Sequence, residues 1–374
     1  MNVPKLRFKE FDNLWQNEKL EDAVEFLDEK RKPIKDSDRN NIKGEYPYYG
    51  ASGIIDYIND YIFDEDLLLL GEDGANILSR STKLVFKATG KYWVNNHAHV
   101  LKPKENYNID FLESYLENIN YESYNTGTAQ PKLNQEVCKK INIKIPSLKE
   151  QEKIGKTLSL LDKKIELQSK KIEDLKLFKK GLIEAEFKNS NYDEISLKNI
   201  LKERKLYSEK GLEYPHVTLS KNGIYDKEER YNRDFLVKSE DKKYKITYLN
   251  DLCYNPANLK FGVICLNEYG SAIFSPIYVT FEINSIANPK YIKYYTTRNS
   301  FINAIRKYEQ GTVYERMSVA PEDFLKFNIK LPDIETQNKS VLKLAKLDKK
   351  IRLEENKLYK LHELKKGLMQ KMFV

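Results

Sequence analysis

The chain has 374 residues and a net charge of +8, long enough for two domains with separate cores. It holds no run of about 18 apolar residues, which excludes a hydrophobic spanning helix. The opening residues lack an apolar leader, so a cytoplasmic protein is expected. Cys138, Cys253 and Cys265 show no metal-type spacing, which argues against zinc and against a disulfide framework.

In chain order, residues 20–30 read as an opening helix. Short apolar runs bounded by Gly, Asn and Asp follow at residues 67–70 and 84–86, as strands do. Residues 94–101 read as one extended strand, which places His97 and His99 on one side of it. With no third ligand nearby, packing or hydrogen bonding is expected of them rather than a metal. Glu72 and Asp73, in a Gly-bounded turn, are expected to cap backbone amides or to exclude wrong bases. A strand ending at Pro146 then leads into a long proline-free stretch. The order repeats: a second opening helix at residues 197–206, strands at 252–254 and 273–274, a strand ending at Pro332, and a second long stretch.

The two long stretches are copies. Residues 143–187 align without a gap to residues 329–373 at an offset of 186, with 19 of 45 positions identical. Their apolar positions keep a heptad. They are Leu158, Leu161, Ile165, Ile172, Leu175 and Leu182 in the first, and Leu344, Leu347, Ile351, Leu358, Leu361 and Leu368 in the second. Sustained heptads predict a coiled-coil seam. Gln168 or Glu354 and Lys179 or Lys365 interrupt it at matching places, a device that fixes partner and register. Each helix would run about 55 Å at about 1.5 Å per residue, and its economical partner is the other copy. The alternative is two separate amphipathic helices, each lying on its own domain.

The expected fold is therefore α+β. Two mixed α/β domains are separated by two long helices forming an antiparallel coiled coil, with pseudo-two-fold symmetry. The bounds are 1–145 for the first domain, 146–190 for the first helix, 191–331 for the second domain and 332–374 for the second helix. The helices are constant and the domains variable. Such an object matches duplex DNA, whose half-sites present a similar backbone to a two-fold partner.

Several motifs carry a resemblance. They are TGTAQPKL at residues 126–133, INIKIPSLKEQEKI at 141–154, LLDKKI at 160–165 and KKGLIEAEF at 179–187. The first domain adds YPYYGASGIIDYINDY at 46–61, LLLLGEDGAN at 67–76 and VNNHAHVL at 94–101. In this order, over nearly the whole length, the chain resembles the specificity subunit of Type I restriction-modification systems, with two target recognition domains. The resemblance implies a non-catalytic subunit that binds double-stranded DNA at an asymmetric bipartite target. It also implies two methyltransferase subunits as partners, acting at adenine N6, and restriction subunits joining for ATP-dependent cleavage. The chain itself would take no cofactor; S-adenosylmethionine, ATP and Mg belong on the partners. The second copy departs from the first where Gln130 becomes Tyr314, Glu150 becomes Thr336 and Ile154 becomes Ser340.

No Walker phosphate loop occurs. The string Asn255-Pro256-Ala257-Asn258 lacks the second proline and the stacking aromatic of an adenine methyltransferase, so a loop after a strand is expected there. Bases are read by Arg, Lys, Asn and Gln, and phosphates are held by Lys, Arg, Ser, Thr and Tyr. Loop residues of these types are the candidate DNA contacts. In the first domain they are Tyr48, Tyr49, Ser52, Asn76, Arg80, Asn95, Asn96, Thr126, Thr128, Gln130 and Lys132. In the second they are Ser220, Lys221, Asn222, Tyr225, Lys260, Tyr278, Thr312, Tyr314 and Arg316. An interaction scaffold, or an enzyme with an unrecognised site, are the competing readings.

Overall fold

The computed structural model describes residues 3–188, 191–208, 214–221, 223–227, 243–310 and 317–373. It divides into two compact units. Unit 1 is Met1–Lys170 with Asn356–Val374, and unit 2 is Lys171–Glu355. Among the described residues no helix is long and apolar enough to cross a membrane.

The centre of unit 1 is an antiparallel sheet in the order Val24–Phe26, Ala98–Pro103, Leu67–Gly71, Val85–Ala88. Leu67 to Leu70 are all fully buried because the sheet is covered on both faces. Leu68 and Leu70 join the core that includes Trp15, Phe111 and Leu158, while Leu67 and Leu69 point the other way, into a core with Phe63, Tyr92 and Val94. A second sheet covers that second face, in the order Gly53–Ile58, Lys43–Gly50, Lys91–Val94, Phe63–Asp64.

Unit 2 repeats the central frame. Its sheet runs Leu201–Glu203, Val279–Ile283, Leu252–Tyr254, Ile264–Leu266, again antiparallel throughout. Both units place a short antiparallel pair before a long helix: Gln16–Lys19 with Asn142–Ile145, and Glu194–Ser196 with Asn328–Lys330. Both carry a domain helix, Ile109–Glu117 or Pro289–Thr296, whose N-cap Asn108 or Asn288 accepts from the first-turn amides. The insertions differ. Unit 2 has a three-stranded sheet and a hairpin where unit 1 has its four-stranded second sheet.

The opening helices are corrected. Residues 20–30 form one turn, Leu20–Ala23, then the strand Val24–Phe26. Residues 197–206 likewise form the short turn Leu197–Asn199 and the strand Leu201–Glu203. Ladder bonds to Ala98–Pro103 and Val279–Ile283 outweigh a helix preference worth only tenths of a kcal/mol per residue. The single strand over residues 94–101 is also corrected, since Lys91–Val94 ends at a turn before Ala98–Pro103 begins. Asn95 makes that turn, its Oδ1 accepting the His97 N–H at 2.8 Å.

The long helices are Leu148–Glu186 and Ile334–Met372, 39 residues each. In unit 2, Lys171 pairs with Glu354 and Lys176 with Glu355, then Lys179 with Asp348 and Glu186 with Lys343. From Lys171 to Glu186 the partners run from Glu354 and Glu355 down to Asp348 and Lys343, so the segments run antiparallel. In unit 1, Asp162 pairs with Lys365, and Ile154 and Leu158 share a core with Leu368, Met372 and Phe373. The pairs Lys179–Asp348 and Asp162–Lys365 are copies of one another at the 186-residue offset. The matched seam lysines thus face a matched aspartate. Of the heptad residues, Leu158, Leu161, Ile172, Leu344 and Ile351 are buried, and Ile165, Leu175, Leu182, Leu347, Leu358, Leu361 and Leu368 are half-buried.

Two pairs of equivalent residues join helix to domain. Gln151 accepts the Asn108 N–H at 2.9 Å and donates to the carbonyls of Asn106 and Pro146. Gln337 accepts the Asn288 N–H at 2.7 Å and donates to those of Ile286 and Pro332. Both are buried, and a buried amide so placed has most of its bonding capacity satisfied. At the other helix ends, Phe373 packs edge-on against Phe111 and Tyr115, and Phe187 does so against Tyr291 and Tyr295.

Candidate nucleic-acid interface

Four of the candidate segments converge in unit 1. The Gly74 N–H donates to the Pro131 carbonyl at 3.0 Å, and the Leu133 N–H to the Glu72 carbonyl at 2.7 Å. The Glu72 N–H donates to the His97 carbonyl at 2.8 Å, and the Asn95 N–H to the Tyr49 carbonyl at 3.0 Å. Residues 49–52, 72–76, 95–97 and 126–133 therefore form one loop cluster where the inner strand Leu67–Gly71 ends and the inner strand Ala98–Pro103 begins.

Residues 126–133 are held tightly. Asn125, which the sequence reading missed, accepts the N–H groups of Gly127 at 3.0 Å and Lys132 at 2.8 Å. The Thr126 N–H and hydroxyl both donate to the Lys132 carbonyl. At Gly127 a Cβ would lie 1.8 Å from the Gln130 carbonyl oxygen, so glycine is required by close approach. Thr128 and Gln130 stand exposed at the tip.

Beneath the loops lies a buried charge network. His99, 1% exposed, places Nδ1 at 2.6 Å from the Asp28 carboxylate and Nε2 at 2.7 Å from the Leu133 carbonyl. A carbonyl only accepts, so Nε2 carries a proton there. Burial disfavours charge on His99, yet the Asp28 hydrogen bond and charge push its pKa up to about 10. Asp28 also accepts from the Val100 N–H and from Gln135. Arg31 bridges to Glu72 at 2.7 Å, and Lys132 joins it at 3.2 Å. Burial acts to raise the Glu72 pKa, but Arg31, His99 and Lys132 hold it below the usual carboxylate range. The expectation that Glu72 and Asp73 cap amides is corrected: Glu72 takes Arg31 and Lys132, and Asp73 takes His97 at 2.8 Å. His97 is exposed and His99 buried, so they do not share a face. Among the described residues no group of three or more His, Cys, Asp or Glu could hold a metal.

Several candidate contacts prove to be supports. Tyr48 is 1% exposed, and its hydroxyl accepts the Ile34 N–H at 2.9 Å. Tyr49 is half-buried against Phe86 and Tyr92. Asn95 is buried and spent on its own turn. Asn76 accepts the Thr82 N–H at 2.9 Å, and Arg80 pairs with Glu117 at 2.8 Å beside the Tyr121 ring. Ser52 and Asn96 are exposed at turns, and Lys132 is exposed beside Glu72.

In unit 2, Ser220 donates to the Gly223 carbonyl at 3.2 Å and closes the hairpin that bears Lys221 at its tip and Tyr225 on its outer strand. Lys260 lies over the Phe261 ring, and Tyr278 packs half-buried on Phe274. Asn255 accepts the Ala257 N–H and caps the short helix Pro256–Phe261, so its amide serves a turn. Asn222, Thr312, Tyr314 and Arg316 lie outside the described residues.

Two domain-plus-helix copies thus share one frame and differ in the loops and insertions they carry. Residues 13–177 match the family described as Type I restriction modification DNA specificity domain. The chain is 37% identical over 142 residues to a type I restriction enzyme specificity subunit of Haemophilus influenzae, covering 38% of this chain and 36% of that one. The aligned part thus spans about a third of the length of that curated relative. The fold matches a Type I restriction-modification S subunit from M. genitalium, with a TM-score of 0.63 at 15% identity, covering 100% of this chain and 99% of the other. A second solved chain, described in work on complex assembly and conformational transition of the type I R-M system, matches at a TM-score of 0.54 and 13% identity, covering 96% and 97%. The chain shares the fold of that M. genitalium S subunit, and its residues 13–177 are similar to the Type I restriction modification DNA specificity domain.

Proposed function

We propose that this protein is the non-catalytic DNA-reading subunit of a Type I restriction-modification complex in the cytoplasm. Each unit reads one part of an asymmetric bipartite target on double-stranded DNA. Methyltransferase and restriction subunits dock on it, modify adenine and cleave, and they carry the S-adenosylmethionine, ATP and Mg that those reactions use. The observation that carries this reading is one frame built twice with two different sets of loops. A shared frame gives both units the same stance toward a duplex, and different loops give them different bases.

The reading predicts a split footprint. Protein with its methyltransferase partners should protect two short tracts separated by an unread gap, with affinity falling steeply as salt rises. Equal protection of any duplex would contradict it. Partner binding wholly indifferent to DNA would favour a protein scaffold instead.

A further inference from the structure

Unit 2 contains a groove of 660 Å³ between its domain helix Pro289–Thr296 and the unit-2 segments of the two long helices. Its four carboxylates are already engaged. Asp348 takes Lys179 and the Tyr294 hydroxyl, Glu355 takes Lys176, Glu268 takes Lys293, and Glu184 takes Ser300. Lys180, Lys221, Lys290 and Arg352 line the same groove. None of these four has an ion pair among the described residues, and all four are exposed. They come from four separate elements: the end of the first long helix, the hairpin tip, the domain helix and the first half of the second long helix.

Unit 1 has the equivalent groove, of 630 Å³, lined by Lys83, Asp162, Lys163, Glu166, His362 and Lys365. Its size is nearly the same but its charge is not. The 186-residue offset places Glu166 where unit 2 has Arg352. Aligning the domain helices on their Asn108 and Asn288 caps places Asp110 and Glu113 where unit 2 has Lys290 and Lys293. Within unit 1 these charges cancel: Lys87 pairs with Asp110, Lys83 with Glu113 and Asp162, and Lys365 with Asp162. Duplication thus yielded two grooves of similar size, one in which charges of both signs nearly balance and one left with an excess of cations.

We propose that the unit-2 groove is a clamp for the phosphate backbone of duplex DNA, and that unit 1 lacks its counterpart. This rests on the DNA-reading function above. A groove whose lining holds eight Lys and Arg against four carboxylates concentrates a polyanion, and a duplex supplies phosphates in a continuous line. Lys180, Lys290 and Arg352 would carry affinity without base preference, because phosphates hold no sequence information. The second part of the target is then the main electrostatic anchor and the first is read chiefly by its loops.

The test compares the full chain with the triple variant Lys180→Gln, Lys290→Gln, Arg352→Gln, with methyltransferase partners present. Affinity for the split-site duplex is measured across a salt series. A second triple variant, Lys9→Gln, Lys149→Gln, Lys156→Gln, removes the same charge from exposed positions of unit 1. The slope of log affinity against log salt should fall by about 2–3 for the groove variant, at roughly 0.9 per phosphate, and stay near wild type for the control. The preference for the target over an unrelated duplex should persist. An unchanged slope in the groove variant overturns the clamp, and so does intact DNA binding with lost partner subunits, which would make the groove a protein-docking surface. If the wild-type protein shows no split-site preference, the DNA-reading function itself fails.

Discussion

Replacing His99 with leucine is expected to destabilise unit 1 by about 3–5 kcal/mol near neutral pH, the usual cost of removing one partner from a buried charge pair. Asp28 would stay buried beside Arg31 and Gln135 but lose its 2.6 Å partner. The Leu133 carbonyl would lose its donor, and residues 126–133 one of their anchors. The effect has a pH signature. The folded pKa of His99 is raised to about 10 from an ordinary value of 6.5. Its stabilisation is therefore complete below about pH 6.5 and is lost as pH rises through about 10. Urea midpoints of wild type and His99→Leu should differ most near pH 6.5 and converge toward pH 10. A difference that stays constant over that range would show that His99 acts by packing alone.

The second large effect is expected at Gly127. With a Cβ 1.8 Å from the Gln130 carbonyl oxygen and 2.9 Å from the Lys132 amide nitrogen, Gly127→Ala cannot keep the loop closed. The Asn125 bonds to Gly127 and Lys132 would open, and the exposed Thr128 and Gln130 would lose their fixed positions. The buried sheet and helix contacts are untouched, so the fold should persist. Each lost base readout costs about 1–3 kcal/mol. Discrimination at the first part of the target should therefore fall by about 10- to 100-fold, while the second part keeps its preference. Measured by binding to duplexes mutated in one part or the other, equal loss at both would contradict a loop that serves unit 1 alone.

The duplicated helices were legible because a heptad is local and a repeat at one offset needs no structure to see. The same offset pairs Lys179 with Asp348 and Lys365 with Asp162, so the interruptions of the seam explain themselves once the helices are antiparallel. Residues 24–26 were not legible, because their strand depends on pairing with residues 101–103, far away in the chain. Tyr48 looked like a surface contact in a polar, aromatic string, but a hydroxyl satisfied by the Ile34 amide lets it sit in the core. The inversion of Glu166 to Arg352 can be read at the 186-residue offset, but that of Asp110 to Lys290 was invisible for another reason. The domain helices align only once their caps and the glutamines that hold them, Gln151 and Gln337, are seen to be equivalent.

The central claim is that one chain reads two separated base tracts with two copies of one frame. Genome-wide mapping of adenine methylation in the source cells, with and without this gene, tests it most directly. The account predicts that deletion removes methylation from a single motif with two unlike specified parts and an unspecified gap. Gly127→Ala should relax only one of those parts. A motif that stays methylated after deletion, or one that proves contiguous, would contradict the account.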